Sequence, residues 1–323
     1  MKTHGFFGYF YCQTSTRQPD ESDDDCLSCL ITPLQVEFDD PGDSDETFFE
    51  CSLLDDEHDD ELVDIRYSIE LPEDFLSRHE GDLMTGHAVV CISGGEAVRA
   101  IDRTDRDFIR IPENADVSLT EEHEDDLYFE YLPGLQARRR TVLVVRVIGD
   151  NGAEQPVESR NRLAGAVFGI GPLPYSNSMR AQYSRCSFGR LEFVPASGHR
   201  LISNGVMDMT LDFSLQGVDI LGSRQFFREE AATLLGVSSL SSQFDHVMFC
   251  VAAGTGIVTP AETRGWSAFA TISRYDTYFN SEFERCHTLS ALMHELGHNL
   301  GLHHSGRDGN QYDDRTGVVR AQG

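Results

Sequence analysis

From about residue 135 onward the apolar positions alternate between two kinds of order. "RTVLVVRVIG" (Arg140–Gly149) is a β-branched run with no polar alternation, and it predicts a strand buried on both faces. "ESRNRLAGAVFG" (Glu158–Gly169) and "SNSMRAQYSRCSFG" (Ser176–Gly189) then space their apolar residues as helices do, the second with Ser176 or Ser178 as its N-cap. "RLEFVPA" (Arg190–Ala196) and "MDMTLDF" (Met207–Phe213) read as strands. "SRQFFREEAATLLGV" (Ser223–Val237) reads as a helix closed by Gly236. Two further strands, "FDHVMFCVAA" (Phe244–Ala253) and "GWSAFATIS" (Gly265–Ser273), precede a last helix, "TLSALMHELGHNLGL" (Thr288–Leu302). Strands interleaved with helices predict an α/β domain with a twisted mixed sheet over residues 135–323.

The preceding residues carry different patterns. Over 65–134 the runs "HAVVCIS", "DFIRI" and "LYFEYL" are short, strand-like and separated by turn residues, so a small β-rich region is expected. Residues 1–64 include "DESDDD", "DDPGDSDE" and "DDEHDDE". Like charges at that density repel and have little to bury, which predicts a mostly disordered acidic segment. No stretch there has the spacing of a calcium loop.

Charge narrows the function. The 323-residue chain has a formal net charge of −28, which excludes a phosphate-backbone binder, so no nucleic-acid partner is expected. "ARRR" (Ala137–Arg140), the compact basic cluster, reads as the solvated entrance of a strand. No run reaches the ~18 apolar residues of a membrane span. The N-terminal "MKTHGFFGYFYCQTST" has a short apolar stretch and no small-residue cleavage site, so no clear signal peptide is read there. The eight cysteines permit disulfides or free thiols equally. "CLSC" (Cys26–Cys29) has no second CxxC to complete a zinc site. Cys250 and Cys286 read as a structural disulfide or two buried thiols, with a zinc-capping thiolate, for which Cys91 is another candidate, as the sharper alternative.

The chemistry concentrates at "MHELGHNLGLHHSG" (Met293–Gly306). His294 and His298 lie four apart on a helix, so both imidazoles share one face about 5–6 Å apart and can reach one ion. Glu295 stands beside that ion, where a base can take a proton from water. One helix cannot deliver a third histidine to the same point. Gly301 ends the helix in a left-handed conformation and lets the chain double back to present His304. Three nitrogen donors leave a fourth position open, the catalytic rather than the structural zinc pattern. His303 is out of step by one and reads as a bystander.

The pattern His294-Glu295-x-x-His298-x-x-Gly301-x-x-His304 is similar to that of the metzincin zinc endopeptidases. With "FDHVMFC", "GWSAFATIS", "HTLSALMHELGHNLGLHHSG" and "YDDRTGVV", and with "TVLVVRVI" and "YSRCSFGRLEFVPA" before them, residues 140–319 resemble the gametolysin family. The resemblance implies a metzincin-type α/β catalytic domain. It implies Zn2+ held by His294, His298 and His304, Glu295 as general base, and Ser305 after the third ligand. It further implies a secreted enzyme acting on extracellular matrix or cell-wall protein, with the residues before Arg140 in the place of a propeptide. A monomer is expected. "WSAFATI" (Trp266–Ile272) is the candidate edge strand for aligning a substrate peptide by strand addition. The chain departs from the family at Val319, where methionine is expected beneath the zinc; the smaller residue would cost on the order of 1–3 kcal/mol as a cavity. The family's C-terminal subdomain is expected to be truncated. A zinc-binding or matrix-binding protein impaired in catalysis is therefore the alternative reading.

Overall fold

The computed structural model describes residues 26–38, 46–54, 66–84, 88–100, 106–120, 138–171, 175–258 and 262–304. The first part of the chain contributes strands β1 (Cys26–Phe38), β2 (Glu46–Leu53) and β3 (Tyr67–Ile69) and helix α1 (Glu73–Leu83). Four short strands follow: β4 (Val89–Ser93), β5 (Glu96–Val98), β6 (Phe108–Arg110) and β7 (Val117–Thr120). The second part runs β8 (Arg138–Ile148), α2 (Arg160–Phe168), α3 (Met179–Cys186), β9 (Leu191–Pro195), β10 (Val206–Thr210) and α4 (Ile220–Leu235). It continues with β11 (His246–Val251), β12 (Ile257–Val258), β13 (Thr263–Arg264), β14 (Trp266–Thr271), β15 (Asp276–Asn280) and α5 (Leu289–Asn299).

Thirteen of these strands form one mixed sheet in the order β10-β8-β11-β15-β14-β1-β2-β3-β6-β5, with β9 on β8 and β4 on β1 and β7. β8 lies at the centre of a parallel group with β9, β10 and β11, and β11 pairs in parallel with β15. β14 reverses direction against β15. Successive residues of a strand point to opposite faces, so the apolar residues of β8 serve two cores. Leu143, Val145 and Val147 pack with Phe227, Ala231 and Leu235 of α4. Val142 and Val144 pack with Leu163 and Val167 of α2 and with Leu292 and Leu296 of α5. Leu296 is fully buried and Leu292 nearly so. At about 1.5–3 kcal/mol each, these two side chains hold α5 on the sheet.

Helices α2, α3 and α4 begin at side-chain caps. Ser159 and Ser178 accept from Arg162 N and Ala181 N as N-caps of α2 and α3. Asp219 caps α4 through Gly222 N at 2.9 Å, and Gly236 closes it in the left-handed region at φ 65°.

Three expectations need correction. The segment 1–64 is not mostly disordered where it is described, because β1 and β2 are paired through eight residue positions. Its acidic runs flank apolar stretches that bring Cys29, Ile31 and Cys51 into a core shared with Phe75 and Leu83 of α1 and Val90 and Ile92 of β4. Disulfides Cys26–Cys91 and Cys29–Cys51 staple that core, so "CLSC" forms two separate structural crosslinks and Cys91 carries no free thiol. The strand β15 and the helix α1 carried no recognised sequence pattern. The run "LYFEYL" lies outside the described residues.

The third correction concerns β14. It was expected to be an edge strand, yet both of its edges are paired. β15 covers one, and β1 covers the other, with Leu34 opposite Thr271 and Val36 opposite Phe269. Leu34 and Val36 enter the same core as Phe269 and α4, so the two parts of the chain share one continuous hydrophobic layer.

Candidate metal centre

Helix α5 carries two of the three sequence-predicted ligands. Its inner face is buried from Ala291 to Asn299, and Tyr183 of α3 donates from Oη to Met293 O at 2.7 Å, fixing the helix from the far side. The end of α5 is built as a Schellman turn. Gly301 N donates to His298 O at 2.9 Å, and Leu302 N donates to Gly297 O at 2.9 Å. Gly301 has φ 80°, and a Cβ there would stand 3.2 Å from Ser273 Oγ. The turn sends the chain back so that His304 meets His294 and His298. Side-chain and backbone bonds anchor the same end to the sheet. Asn299 Nδ2 donates to Thr271 O (2.9 Å) and Asp276 O (3.0 Å), and Ser273 N donates to His298 O (2.9 Å).

The three Nε2 atoms form a near-equilateral triangle. His294 to His304 is 3.0 Å, His298 to His294 is 3.1 Å, and His298 to His304 is 3.1 Å. Hydrogen bonding cannot account for this arrangement. A ring nitrogen either carries a proton or offers a lone pair, so three of them cannot satisfy one another mutually. His298 Nδ1 lies 2.7 Å from the Leu302 carbonyl, which can only accept, so Nδ1 carries the proton and Nε2 the lone pair. Converging lone pairs repel unless a cation lies among them. The donor set therefore fits a divalent, imidazole-binding metal, with a backbone carbonyl orienting one ligand. Burial and the neighbouring imidazoles hold His298 well below its ordinary pKa. Burial first, then His294 and His303, bring His304 to about 3. These rings stay neutral and available as ligands across the physiological range.

Glu295 is completely buried on the same helix. It lies outside the close triangle of ligand atoms, as a residue one step round the helix from His294 must. Its charge helps to raise the Tyr183 hydroxyl, after burial and Cys186. His303 is exposed and takes no part in the triangle. Ser305 and Val319 lie outside the described residues.

A second group of potential donors, Glu158, Cys250 and Cys286, is not a metal site, because Cys250 and Cys286 are joined as a disulfide. Glu158 instead accepts from Ser281 Oγ (2.6 Å) and from His287 Nδ1 (2.9 Å). Arg162 Nη2 lies 2.6 Å from His287 Nε2 and can only donate, which leaves Nδ1 to face the carboxylate. This knot fixes the segment leading into α5. Its residues are scattered along the chain, and no sequence pattern joins them.

A family model described as gametolysin peptidase M11 matches residues 170–323, a span that contains all three histidines and Glu295. No curated protein and no solved structure matches the chain. Residues 170–323 of the chain are thus similar to the gametolysin peptidases.

Proposed function

We propose that this protein is a secreted, monomeric zinc endopeptidase acting on extracellular matrix or cell-wall proteins, and that the pairing of β1 with β14 is its latent form. The observation that carries the proposal is the triangle of Nε2 atoms 3.0–3.1 Å apart on and just after α5. His294, His298 and His304 would hold the ion. Zinc, when bound, supplies Lewis acidity toward the scissile carbonyl and the attacking water.

The chain's own groups do the rest. Glu295, buried beside His294, takes a proton from the attacking water and passes it to the leaving amine. The Leu302 carbonyl holds the His298 ring in the tautomer that presents Nε2. β14 would align the substrate backbone by strand addition once β1 has left its edge. Val36 and Leu34 now take that edge, which favours latency over a permanently impaired site. Three disulfides suit an oxidising, extracellular setting.

The test is hydrolysis of casein by the purified chain before and after limited proteolysis, with zinc content measured alongside. One zinc per chain and hydrolysis that rises on nicking are expected. Glu295→Gln should keep the zinc and lose hydrolysis, and undiminished turnover in that variant would refute the assigned base. Equal rates before and after nicking would refute latency.

A further inference from the structure

Positive charge gathers at one turn of an otherwise acidic molecule. Residues 138–200 contain ten arginines against four acidic residues, an excess of six positive charges in a chain of net charge −28. Part of this excess meets where α3 ends beside the start of β8. Arg138 N donates to Arg190 O at 2.7 Å, which joins the strand entrance to the turn that follows α3. Arg138, Arg139, Arg185 and Arg190 are all exposed there. Glu192 lies 3.6 Å from Arg139 and also takes Arg180. Arg138 and Arg185 meet no carboxylate among the described residues, and Arg185 Nη1 donates only to the Ser176 carbonyl, at 3.3 Å.

The same turn holds out an aromatic ring. Phe188 is 91% exposed, more than any other large hydrophobic side chain among the described residues. Its φ is 54°, a left-handed angle that a bulky residue adopts under strain, and Gly189 continues the turn at φ 77°. Backbone bonds fix this conformation: Phe188 N donates to Arg185 O (3.0 Å), Gly189 N to Ser184 O (2.7 Å) and Arg190 N to Ser187 O (3.1 Å). The ring is therefore held in water, between arginines in sequence, without the burial that would offset its strain. A partner that covers it would supply that burial.

We propose that this turn is a docking site for an anionic polysaccharide, a polymer that carries sulfate ester or carboxylate groups. Those groups would meet Arg138, Arg139, Arg185 and Arg190 in charge-assisted pairs, and the apolar face of a sugar ring would lie on Phe188. One polymer strand suits the charge distribution better than a wide anionic surface does. Screening at physiological salt confines exposed charges to a reach of about 8 Å. A strand crossing the turn meets the arginines, whereas a membrane would also press against the acidic remainder of the chain. Single-stranded nucleic acid is bound by a basic groove with successive aromatic platforms, and this is a tight turn with one ring. None of these residues belongs to the histidine triangle, and the proposal stands whether or not the chain is an active peptidase.

Biolayer interferometry of the full chain on immobilised dextran sulfate, polygalacturonate and neutral dextran tests it. The charged polymers should bind saturably and neutral dextran should not; the tighter of the two identifies the recognised group as sulfate ester or carboxylate. Binding should survive a chelator and weaken as sodium chloride rises. The double variant Arg138→Gln/Arg185→Gln should weaken it about tenfold, and Phe188→Asn about fivefold. Asparagine tolerates the left-handed region, so Phe188→Asn should keep or raise the melting temperature, which separates lost docking from lost folding. Arg78→Gln, at an exposed arginine of α1, should change neither measurement. No saturable binding to either charged polymer, unchanged affinity in either folded variant, or tighter binding to polyglutamate, polyadenylate RNA or phosphatidylserine vesicles would overturn the proposal.

Discussion

Replacing Gly301 by alanine tests whether the turn after α5 governs metal binding. Gly301 sits at φ 80°, where a Cβ costs about 1–2 kcal/mol. The added carbon would also stand 3.2 Å from Ser273 Oγ, close enough to push the Ser273 backbone that bonds His298 O. The strained conformation is needed only while the turn is closed and His304 faces His294 and His298. The metal-free chain can relieve the strain by opening this turn, whereas the metal-bound chain cannot. Most of the 1–2 kcal/mol should therefore appear as weaker zinc binding, roughly 5–30-fold at 1.4 kcal/mol per decade. Competition with a chromophoric chelator measures it. Gly236→Ala is the control, because Gly236 has φ 65°, ends α4 and would put its Cβ into open space. That variant should lose comparable stability without losing zinc affinity. Unchanged zinc affinity in Gly301→Ala, or an equal loss in Gly236→Ala, would refute the argument.

Three other outcomes follow from the packing. Cys250→Ser/Cys286→Ser opens a crosslink with a sequence separation of 36, which chain entropy values at about 4 kcal/mol. Denaturant unfolding should register that loss while zinc stoichiometry stays at one per chain. Asp276→Asn leaves Arg66 and Arg228 facing a neutral amide in a fully buried position and should cost about 3–5 kcal/mol by the same assay; a loss under about 1 kcal/mol would show that the network contributes little. His246 is buried against Phe193 and near Arg140, Asp245 and Asn299; burial first and then Arg140 bring its pKa from 6.5 to about 4. The unfolded chain therefore binds a proton that the folded chain refuses between these values. Stability is intact above about pH 6.5 and falls by up to about 3 kcal/mol as pH drops toward 4. His246→Phe should flatten that part of the melting-temperature profile, and an unchanged slope would contradict it.

The histidine triangle was legible because its geometry is local. Helical periodicity fixes His294 against His298, and one glycine fixes the return of His304, so the eleven residues from His294 to His304 encode the whole triangle. The two-faced strand β8 and the four helices around it were legible for a similar reason, since each writes its own period. β15 was not, because "DTYFN" is a short run whose Asp276 reads as a breaker. Its burial depends on Arg66 and Arg228, which lie 210 and 48 residues away in sequence. The strands β1 and β2 were hidden by charge: the acidic runs beside them suggest disorder. Glu50 is itself an acidic residue that becomes buried only because Arg224 meets it.

The same long-range ion pairs explain why β14 could not be recognised as a covered strand. Its own pattern specifies only that both faces are buried, and edge pairing is a property of whatever arrives beside it. What arrives is held by contacts distributed along the chain. Arg66 reaches Asp276 and Thr271, Arg274 Nη2 reaches Thr32 Oγ1 at 3.2 Å, and Ile272 N reaches Pro33 O at 3.3 Å. These contacts end on the β14–β15 turn, the same turn that Asn299 and His298 grip from the end of α5. The covering strand and the metal helix are thus fastened to opposite sides of one short loop. Displacing β1 together with the β2–β3 strands paired to it would remove the Thr32, Pro33 and Arg66 contacts from that loop while leaving the α5 contacts in place. On that geometry, release should expose the β14 edge without dismantling the histidine triangle. A latent form of this kind can hold its metal before activation, and zinc content should be the same in the intact and nicked chains.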